Sequence, residues 1–211
     1  MKSPLNTFFE QVFVLNLPRR KDRKMQIIDE LKRYNIKYEF IDAVDGSLLN
    51  IKNMMSLDNT PVSVGDIGCT RSHLAIARLA RLRGLKNYFV FEDDALLVSN
   101  FNKIFAHNII QLPSDWNMVY LGGNHDGSIT KVTDNIWKMS RTFTTHAYGV
   151  QGGCINKIIE VLSLDSEKVD VAISTIHSQL PCYVLRPHVA FQRPSFSDIL
   201  NTFTDYKHLH Q

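Results

Sequence analysis

The sequence predicts an α/β fold with a mostly parallel central sheet flanked by helices. Short apolar runs alternate along the chain with stretches of helical periodicity, as expected when helices connect parallel strands. Several of these runs end in polar or glycine-rich clusters, as strands do at a ligand-binding edge. The length of 211 residues, with 44% hydrophobic and 21% charged residues, allows a sizeable core. We expect one domain over residues 1–211, with its core at about 11–193 and a polar tail at about 194–211.

The first part of the chain predicts two strands joined by a helix. Residues 12–15 are an apolar run typical of a buried strand. Apolar residues at helical spacing follow between residues 25 and 34, so a helix should end near residue 34. Residues 37–41 predict a second strand, and the Asp-Gly pair within residues 42–46 marks the turn that ends it.

The next segment predicts an irregular loop, a long helix and a strand. Residues 47–62 have no clear period and indicate a short helix and a surface loop. Ser63 and Asp66 have the spacing of a helix-capping pair, so a helix should begin there and continue to about Arg83. The aromatic and β-branched run at residues 88–91 then predicts a buried strand.

The third segment predicts a helix followed by antiparallel elements. A helix is expected near residues 101–111, and a strand at 117–121 that ends in Gly-Gly-Asn-His. Residues 126–144 are typical of a β-hairpin or loop, with the turn expected at residues 133–135. Residues 147–150 predict another strand.

The last segment predicts two helices and a late strand. The helices are expected at about residues 153–162 and 169–179, and the strand at 183–185. Beyond Pro194 the composition is polar and shows no clear period.

Charge and cysteine usage narrow the functional classes. A net charge of +3 is too small to indicate nucleic-acid binding, and we expect no nucleic-acid partner. The odd number of cysteines, far apart in the chain, shows neither a disulfide framework nor metal-ligand spacing and favours a reducing compartment. The sequence lacks a membrane-spanning apolar run and a signal-peptide apolar region, so we expect the cytoplasm, with peripheral membrane association left open.

The segment Tyr88-Phe-Val-Phe-Glu-Asp-Asp-Ala95 is the most informative in the chain. Three carboxylates follow a buried strand, at the end where ligands bind in an open α/β sheet. Adjacent carboxylates repel each other unless a cation or hydrogen-bond donors offset their charge. Oxygen ligands suit Mg²⁺ or Mn²⁺, which usually bind together with a substrate phosphate. The alternative is an acidic turn that caps the next element.

Other polar clusters are predicted to meet the acidic one at the same sheet edge. Asn16 and Arg19 follow the first strand, residues 42–46 the second, and residues 122–125 a later one. The basic run at residues 19–24 opens a helix, where backbone amides and arginines can bind phosphate. A solvated helix face is the alternative for this run.

Two further residues have both a functional and a structural interpretation. His73, within Ser72-His73, lies in the predicted helix that begins near Ser63, and a packing role is the alternative to ligand binding. Asp170 lies near a helix start, where it either stabilises the first turn or acts as a general base for an attacking hydroxyl.

Five motifs follow one another along the chain. They are Val12-Phe-Val-Leu-Asn-Leu-Pro-Arg-Arg-Lys-Asp-Arg23, Asp42-Ala-Val-Asp-Gly46, Gly65-Asp-Ile-Gly-Cys-Thr-Arg-Ser-His73, Phe89-Val-Phe-Glu-Asp-Asp-Ala95 and Asp115-Trp-Asn-Met-Val-Tyr-Leu-Gly122. In this order they resemble the motifs of glycosyltransferase family 25, which contains lipopolysaccharide-biosynthesis and procollagen galactosyltransferases. Weaker matches follow at Thr145-His-Ala-Tyr148 and Val169-Asp170, and the resemblance covers roughly residues 11–190.

The resemblance implies a GT-A fold, which is Rossmann-like, and an inverting transfer of galactose or glucose from a UDP-sugar, usually with Mn²⁺ or else Mg²⁺. It implies metal binding by Glu92 and Asp94, and Asp170 as the catalytic base. The third metal ligand is left open between His188 and Gln192, and we expect His188. Residues implied to bind the donor are Asn16, Arg19, Asp45, Gly46, Ser72, His73 and Asp93.

The resemblance implies an acceptor hydroxyl on a lipooligosaccharide, another glycan, a lipid-linked sugar or a hydroxylysine of a protein. A catalytically silent nucleotide-sugar-binding protein is the alternative, although the intact acidic motif disfavours it. A metal-dependent phosphohydrolase would need a second cluster of metal ligands, which the sequence does not reveal. The sugar, the acceptor and the oligomeric state are left open.

Overall fold

The computed structural model describes residues 2–51, 54–56, 60–199 and 202–205. Within these ranges two 3₁₀ turns accompany the α-helices, at Gly46–Leu48 and Gly152–Cys154. The helices are α1 (Pro4–Phe8), α2 (Lys21–Arg33), α3 (Val64–Leu82), α4 (Phe101–Ile109), α5 (Ile155–Leu162) and α6 (Val169–His177). The strands are β1 (Gln11–Asn16), β2 (Glu39–Asp42), β3 (Met54–Met55), β4 (Pro61–Val62), β5 (Asn87–Glu92), β6 (Ala95–Leu97), β7 (Met118–Tyr120), β8 (Asn124–His125), β9 (Ile129–Lys131), β10 (Ile136–Met139), β11 (Thr142–Phe143), β12 (Ala147–Gln151), β13 (Cys182–Leu185), β14 (Ala190–Gln192), β15 (Ser195–Ser197) and β16 (Thr202–Thr204).

A central sheet of eight strands has the order β2-β1-β5-β12-β7-β13-β10-β9 among the described residues. Strand β1 is parallel to both β2 and β5, and β13 is parallel to β7. Strand β12 lies antiparallel between β5 and β7, and β10 is antiparallel to both of its neighbours. Within these described strands only β12 and β10 run against the other six. The prediction of an α/β fold with a mostly parallel sheet is confirmed.

The two faces of the sheet carry separate apolar cores, because successive side chains of a strand point to opposite faces. In β1, Phe13 and Leu15 pack on one face, and Val12 and Val14 on the other. Helices α3, α5 and α6 cover the first face, and α1, α2 and α4 cover the second. Burial of each large apolar side chain contributes roughly 1.5–3 kcal/mol, so both helix layers are firmly attached to the sheet.

The long elements match the sequence predictions closely. The capping pair before α3 is present: Asp66 donates its backbone N–H to Ser63 Oγ at 3.1 Å, and Ser63 N–H is 2.9 Å from Asp66 Oδ2. The predicted hairpin is formed by β9 and β10. The structure adds helix α1 and several strand pairs of two or three residues, which are too short to show a period. Part of the predicted irregular segment, at residues 52–53 and 57–59, lies outside the described residues.

The segment after Pro194 also differs from its featureless sequence pattern. Strands β15 and β16 form a hairpin there, and residues 195–198 contact the start of α2 through arginine side chains. These contacts join positions more than 170 residues apart, so no local pattern could indicate them. No helix in the described part of the chain is both long and apolar enough to cross a lipid bilayer.

Candidate active site

A cleft of about 220 Å³ opens where β1, β2 and β5 end and helix α3 begins. It brings together nine residues that the sequence predicts to bind the donor or metal. These are Asn16, Arg19, Asp45, Gly46, Ser72, His73, Glu92, Asp93 and Asp94. The other two predicted residues, Asp170 and His188, are not among the described residues that line the cleft.

The three carboxylates have different surroundings, because β5 ends at Glu92, and Asp93 and Asp94 follow it. Glu92 continues the face of Tyr88 and Val90, so its side chain lies on the side covered by α3. The chain then enters β6, which pairs antiparallel with β14, and Gln192 lies opposite Ala95. This pairing brings Gln192 next to Asp94 in the cleft.

Asp93, which directly follows β5, links the end of that strand to the end of β1 through a hydrogen bond from Asn16. Its carboxylate accepts hydrogen bonds from Asn16 Nδ2 at 2.8 Å and from Arg23 Nη1 at 2.9 Å. Burial raises the pKa of Asp93, although Arg23 and Asn16 oppose the shift. Both carboxylate oxygens are occupied by protein donors, so Asp93 holds the cleft in shape.

Of the three acids in the motif, Asp94 is the one whose negative charge is offset least by neighbouring groups. It is 4% exposed, and its nearest cation is Arg23, with Nη2 at 3.3 Å from Oδ2. Burial, together with the charges of Glu92 and Asp93, raises the pKa of Asp94 to about 7 despite Arg23. A bound cation would stabilise its ionised form.

Three buried oxygen atoms of the cleft residues have no hydrogen-bond partner among the described residues. They are Asp94 Oδ1, Asn16 Oδ1 and Gln192 Oε1. A buried acceptor without a partner costs about 1–3 kcal/mol, which a cation could offset. Mg²⁺ and Mn²⁺ prefer carboxylate and amide oxygens. The residues present therefore fit a hard divalent cation.

Glu92 has a different environment from Asp94. Its Oε1 accepts a hydrogen bond from Thr145 Oγ1 at 2.6 Å and lies 3.3 Å from His73 Nε2. Burial alone would raise the pKa of Glu92, but His73 and Thr145 outweigh it and lower the pKa below its ordinary value. Glu92 is therefore the acid of this pair that stays ionised, and it adds to the charge that disfavours ionisation of Asp94.

The arginines of the basic run at the start of α2 are paired with carboxylates, and two of them line the cleft. Arg19 donates to Asp45 Oδ2 at 2.7 Å and to Asp198 Oδ1 at 2.6 Å, and Arg20 also pairs with Asp198. Asp45 Oδ1 accepts hydrogen bonds from Ser47 Oγ at 2.7 Å and from Ser47 N–H at 3.0 Å. These two bonds and the charge of Arg19 lower the pKa of Asp45. Arg19 and Arg23 line the cleft, so this run is not merely a solvated helix face.

The loop after β2 is held against α3 by close backbone packing. Ser72 Oγ accepts the Val44 N–H at 2.8 Å and donates to Gly68 O at 2.7 Å. A Cβ atom on Gly46 would lie 1.9 Å from the Val64 backbone oxygen. Only glycine permits this approach, which closes one side of the cleft.

We expect Gly46→Ala to lower the free energy of unfolding by about 1–3 kcal/mol, because backbone must move to admit the methyl group. Urea denaturation measures this change. Gly153→Ala is the matched control, since its Cβ would meet its nearest atom, Gln151 Oε1, at an ordinary 3.4 Å. Equal losses of stability in the two variants would contradict the packing argument.

Asp170 lies beside the cleft, in the first turn of α6. Its carboxylate accepts hydrogen bonds from Thr144 N–H at 3.2 Å and Val171 N–H at 2.9 Å. Thr144 has a φ of 74°, which is unusual for a β-branched residue. The next residue, Thr145, binds Glu92. Thr144 and Thr145, which are consecutive, thus connect Asp170 to the acidic motif. The catalytic role of Asp170 stays a prediction.

His188 is not among the described residues that line the cleft and lies beside another histidine. Its Nε2 lies 2.9 Å from His125 Nε2. Gln192, the other candidate for the third metal ligand, lines the cleft. The cluster at residues 122–125 also lies outside the described cleft lining, because β12 separates β7 from β5.

Sequence reasoning missed several residues that shape the cleft. Cys69 lies one helical turn before His73, a spacing that could have revealed their shared face. Thr145 lay in a weak motif but had no assigned partner. Asp198 gave no local signal, since its partners lie at the opposite end of the chain.

The chain is similar to known glycosyltransferases in both sequence and fold. It is 31% identical over 136 residues to human procollagen galactosyltransferase 2, covering 57% of this chain and 22% of the relative. It is 33% identical over 137 residues to human inactive glycosyltransferase 25 family member 3, covering 57% and 23%. The chain therefore spans about a fifth of the length of these relatives.

A solved structure supports the fold assignment. A glycosyltransferase involved in glycosylation of the major capsid of PBCV-1 aligns with a TM-score of 0.52 at 12% identity, over 82% of this chain and 79% of that one. The GT-A-like fold expected from the resemblance is thereby confirmed. The sequence profile of glycosyltransferase family 25 (LPS biosynthesis protein) matches residues 9–170. The chain belongs to glycosyltransferase family 25.

Proposed function

We propose that this protein transfers a hexose, galactose or glucose, from a UDP-sugar to an acceptor hydroxyl with inversion at the anomeric carbon, and that it needs a divalent cation. Family membership supports glycosyl transfer, and the name of the human galactosyltransferase relative supports the choice of sugar. The observation that carries the metal requirement is the charge of the cleft.

The cleft carries too much negative charge to attract a nucleotide diphosphate unless a cation is bound as well. Among the described residues that line it are five carboxylates and two guanidinium groups. The guanidiniums of Arg19 and Arg23 are already paired with these acids. An anionic donor would be repelled by the remaining negative charge, so a cation must accompany it.

The proposed metal ligands are Asp94 and Glu92, with Gln192 as the third ligand on grounds of its position. Two members of this set, Asp94 and Gln192, carry unpaired buried oxygens within the described part of the chain, and the unpaired oxygen of Asn16 lies in the same cleft. We propose Mn²⁺, or Mg²⁺, as the ion. When bound, it would neutralise charge that develops on the departing diphosphate.

The donor would lie between the loop after β2 and the start of α3. Asp45, Gly46 and Ser72 shape this side of the cleft. The amino end of α3 also opens into it, and the positive end of a helix dipole favours phosphate. Arg19 is the proposed side-chain partner of the diphosphate once a cation offsets its neighbouring acids.

Asp170 is the proposed general base. It would take the proton from the acceptor hydroxyl as that oxygen attacks the anomeric carbon on the face opposite the diphosphate. Hydrogen bonds from Thr144 N–H and Val171 N–H fix its carboxylate. The acceptor remains a hydroxyl on a lipooligosaccharide, another glycan, a lipid-linked sugar or a hydroxylysine, and peripheral membrane contact is proposed only for a lipid-linked one.

A catalytically silent nucleotide-sugar-binding protein is the second candidate. The observation that favours it is the similarity to human inactive glycosyltransferase 25 family member 3. Both functions need donor binding, but only the first needs turnover. Release of UDP from UDP-galactose or UDP-glucose, with hydroxyl acceptors present, separates the two.

We expect UDP to raise the melting temperature in the presence of Mn²⁺ and to have little effect in EDTA. At a ligand concentration about 100 times its Kd, binding should add about 2.7 kcal/mol of stability. Thermal-shift measurements with UDP, GDP and CMP, each with and without Mn²⁺, test both the preference for the uracil nucleobase and the requirement for the cation. Equal stabilisation by UDP with and without the metal would contradict the electrostatic argument.

A further inference from the structure

Among the described residues, three side chains that could hold a metal ion lie in the wall of the same cleft, where α3 faces the end of β5. Cys69 and His73 are one helical turn apart, and Glu92 ends the strand. One ligand atom from each residue lies within 4.8 Å of the other two. All three residues line the cleft, so an ion could reach them from solvent.

The ring of His73 is oriented as a metal ligand would be. The residue is 1% exposed, and its Nδ1 lies 2.8 Å from the Tyr148 hydroxyl. Its Nε2 has no hydrogen-bond partner in the described part of the chain, although Glu92 Oε1 is 3.3 Å away. Metal-bound histidines commonly use one ring nitrogen for the ion and hold the other by a hydrogen bond.

The distances between the ligand atoms of Cys69, His73 and Glu92 need little adjustment to fit a tetrahedral metal site. Ligand atoms around a tetrahedral Zn²⁺ lie roughly 3.3–3.6 Å apart, given Zn–N, Zn–O and Zn–S bonds of about 2.0–2.3 Å. The separation of His73 Nε2 and Glu92 Oε1 already has this value. The sulfur of Cys69 lies within 4.8 Å of the other two ligand atoms, so it has to approach by at most roughly 1.2–1.5 Å, which a side-chain rotation on a helix can supply.

We propose that Cys69, His73 and Glu92 bind a borderline divalent ion such as Zn²⁺, with a fourth position open to the cleft. Sulfur and imidazole ligands suit Zn²⁺ and Co²⁺, whereas Mn²⁺ and Mg²⁺ prefer oxygen. The site goes beyond the proposed transfer reaction and does not depend on it. Because Glu92 also belongs to the oxygen set around Asp94, an ion at this site would compete with Mn²⁺ for that carboxylate.

Titration of the intact protein with Co²⁺ alone, and separately with Zn²⁺ alone, tests the site. We expect the near-ultraviolet absorption of a cobalt–thiolate bond in the wild type and its absence in Cys69→Ala and Cys69→Ser. Calorimetry should show the Zn²⁺ Kd rising at least ~100-fold in Cys69→Ala, since losing even an outer hydrogen-bond partner costs ~10–100-fold. Circular dichroism without metal verifies that both variants are folded.

Asp94→Asn is the discriminating variant, because Asp94 belongs only to the oxygen set. We expect it to retain the cobalt–thiolate absorption and Zn²⁺ affinity while losing Mn²⁺-dependent stabilisation by UDP. A cobalt–thiolate band that persists in Cys69→Ala, or no band in the wild type, would overturn the proposal. Failure of UDP to bind with Mn²⁺ would instead count against the proposed transferase and leave this site standing.

Discussion

Asp94→Asn should lower turnover of UDP-sugars at least ~100-fold, the loss expected when one group that stabilises transition-state charge is removed. The substitution keeps the size of the side chain and removes the charge that we propose holds Mn²⁺. It should also abolish stabilisation of the protein by Mn²⁺ and UDP together. Asp134→Asn is the control, since Asp134 is an exposed acid that pairs with Lys131 on the β9–β10 hairpin.

The same substitution should have the opposite effect on the metal-free protein. The folded-state pKa of Asp94, about 7, lies above its ordinary value of 3.8, so the folded protein binds more protons than the unfolded chain between these values. The wild type therefore loses stability as the pH rises through this window. Asparagine has no charge to bury, so Asp94→Asn should be the more stable protein at pH 8 by on the order of 1–4 kcal/mol, with the difference vanishing near pH 4.

Urea denaturation at several pH values, with and without Mn²⁺, measures both effects. We expect the order of stability to reverse when Mn²⁺ is added above pH 7, because the ion replaces the proton on Asp94 in the wild type only. Equal stabilisation of both proteins by Mn²⁺, or undiminished turnover in Asp94→Asn, would rule out Asp94 as a metal ligand.

Asp170→Asn should lower turnover by ~10²–10⁴-fold while leaving the Kd for UDP within about a factor of two, because a general base contributes to the chemical step and not to donor binding. The structure favours this separation, since Asp170 is outside the described lining of the donor cleft and is held by backbone N–H groups. Asparagine keeps one acceptor oxygen and therefore one of these two hydrogen bonds, because the two N–H groups bind different oxygens of the carboxylate.

Single-turnover kinetics and calorimetry with UDP and Mn²⁺ measure the two quantities separately. Asp165→Asn serves as the control, because Asp165 is a nearby acid that pairs with Arg71 on the other side of α3. Loss of UDP binding together with turnover would assign Asp170 a structural or binding role. Full turnover in Asp170→Asn would show that another group accepts the proton.

The acidic motif and its neighbours could be located from sequence because their signals are local. An apolar run that ends in three carboxylates fixes both the strand and the position of the acids at its end. Parallel pairing of β1 with β2 and β5 then brings residues 16, 45 and 92–94 to one cleft. These inferences needed only strand period and the geometry of parallel sheets.

The parts of the fold and of the site that the sequence did not predict depend on strand direction and on long-range strand pairing. A local sequence pattern does not specify either of these. Residues 147–150 predict a strand, but nothing in them shows that β12 runs backwards between β5 and β7. That reversal removes residues 122–125 from the cleft. Gln192 and Asp198 reach the cleft through pairings with β6 and with Arg19, which are distant in sequence.

The position of β13 determines how the region that matches the family can be isolated as a fragment. This strand lies between β7 and β10 in the sheet, yet it falls beyond residue 170, where the family match ends. A fragment cut at that boundary would expose the hydrogen-bonding edge of β7 and the apolar residues that β13 covers, a combination that promotes aggregation. A fragment that keeps this part of the sheet intact therefore has to extend beyond the matched residues 9–170, through β13 at Cys182–Leu185.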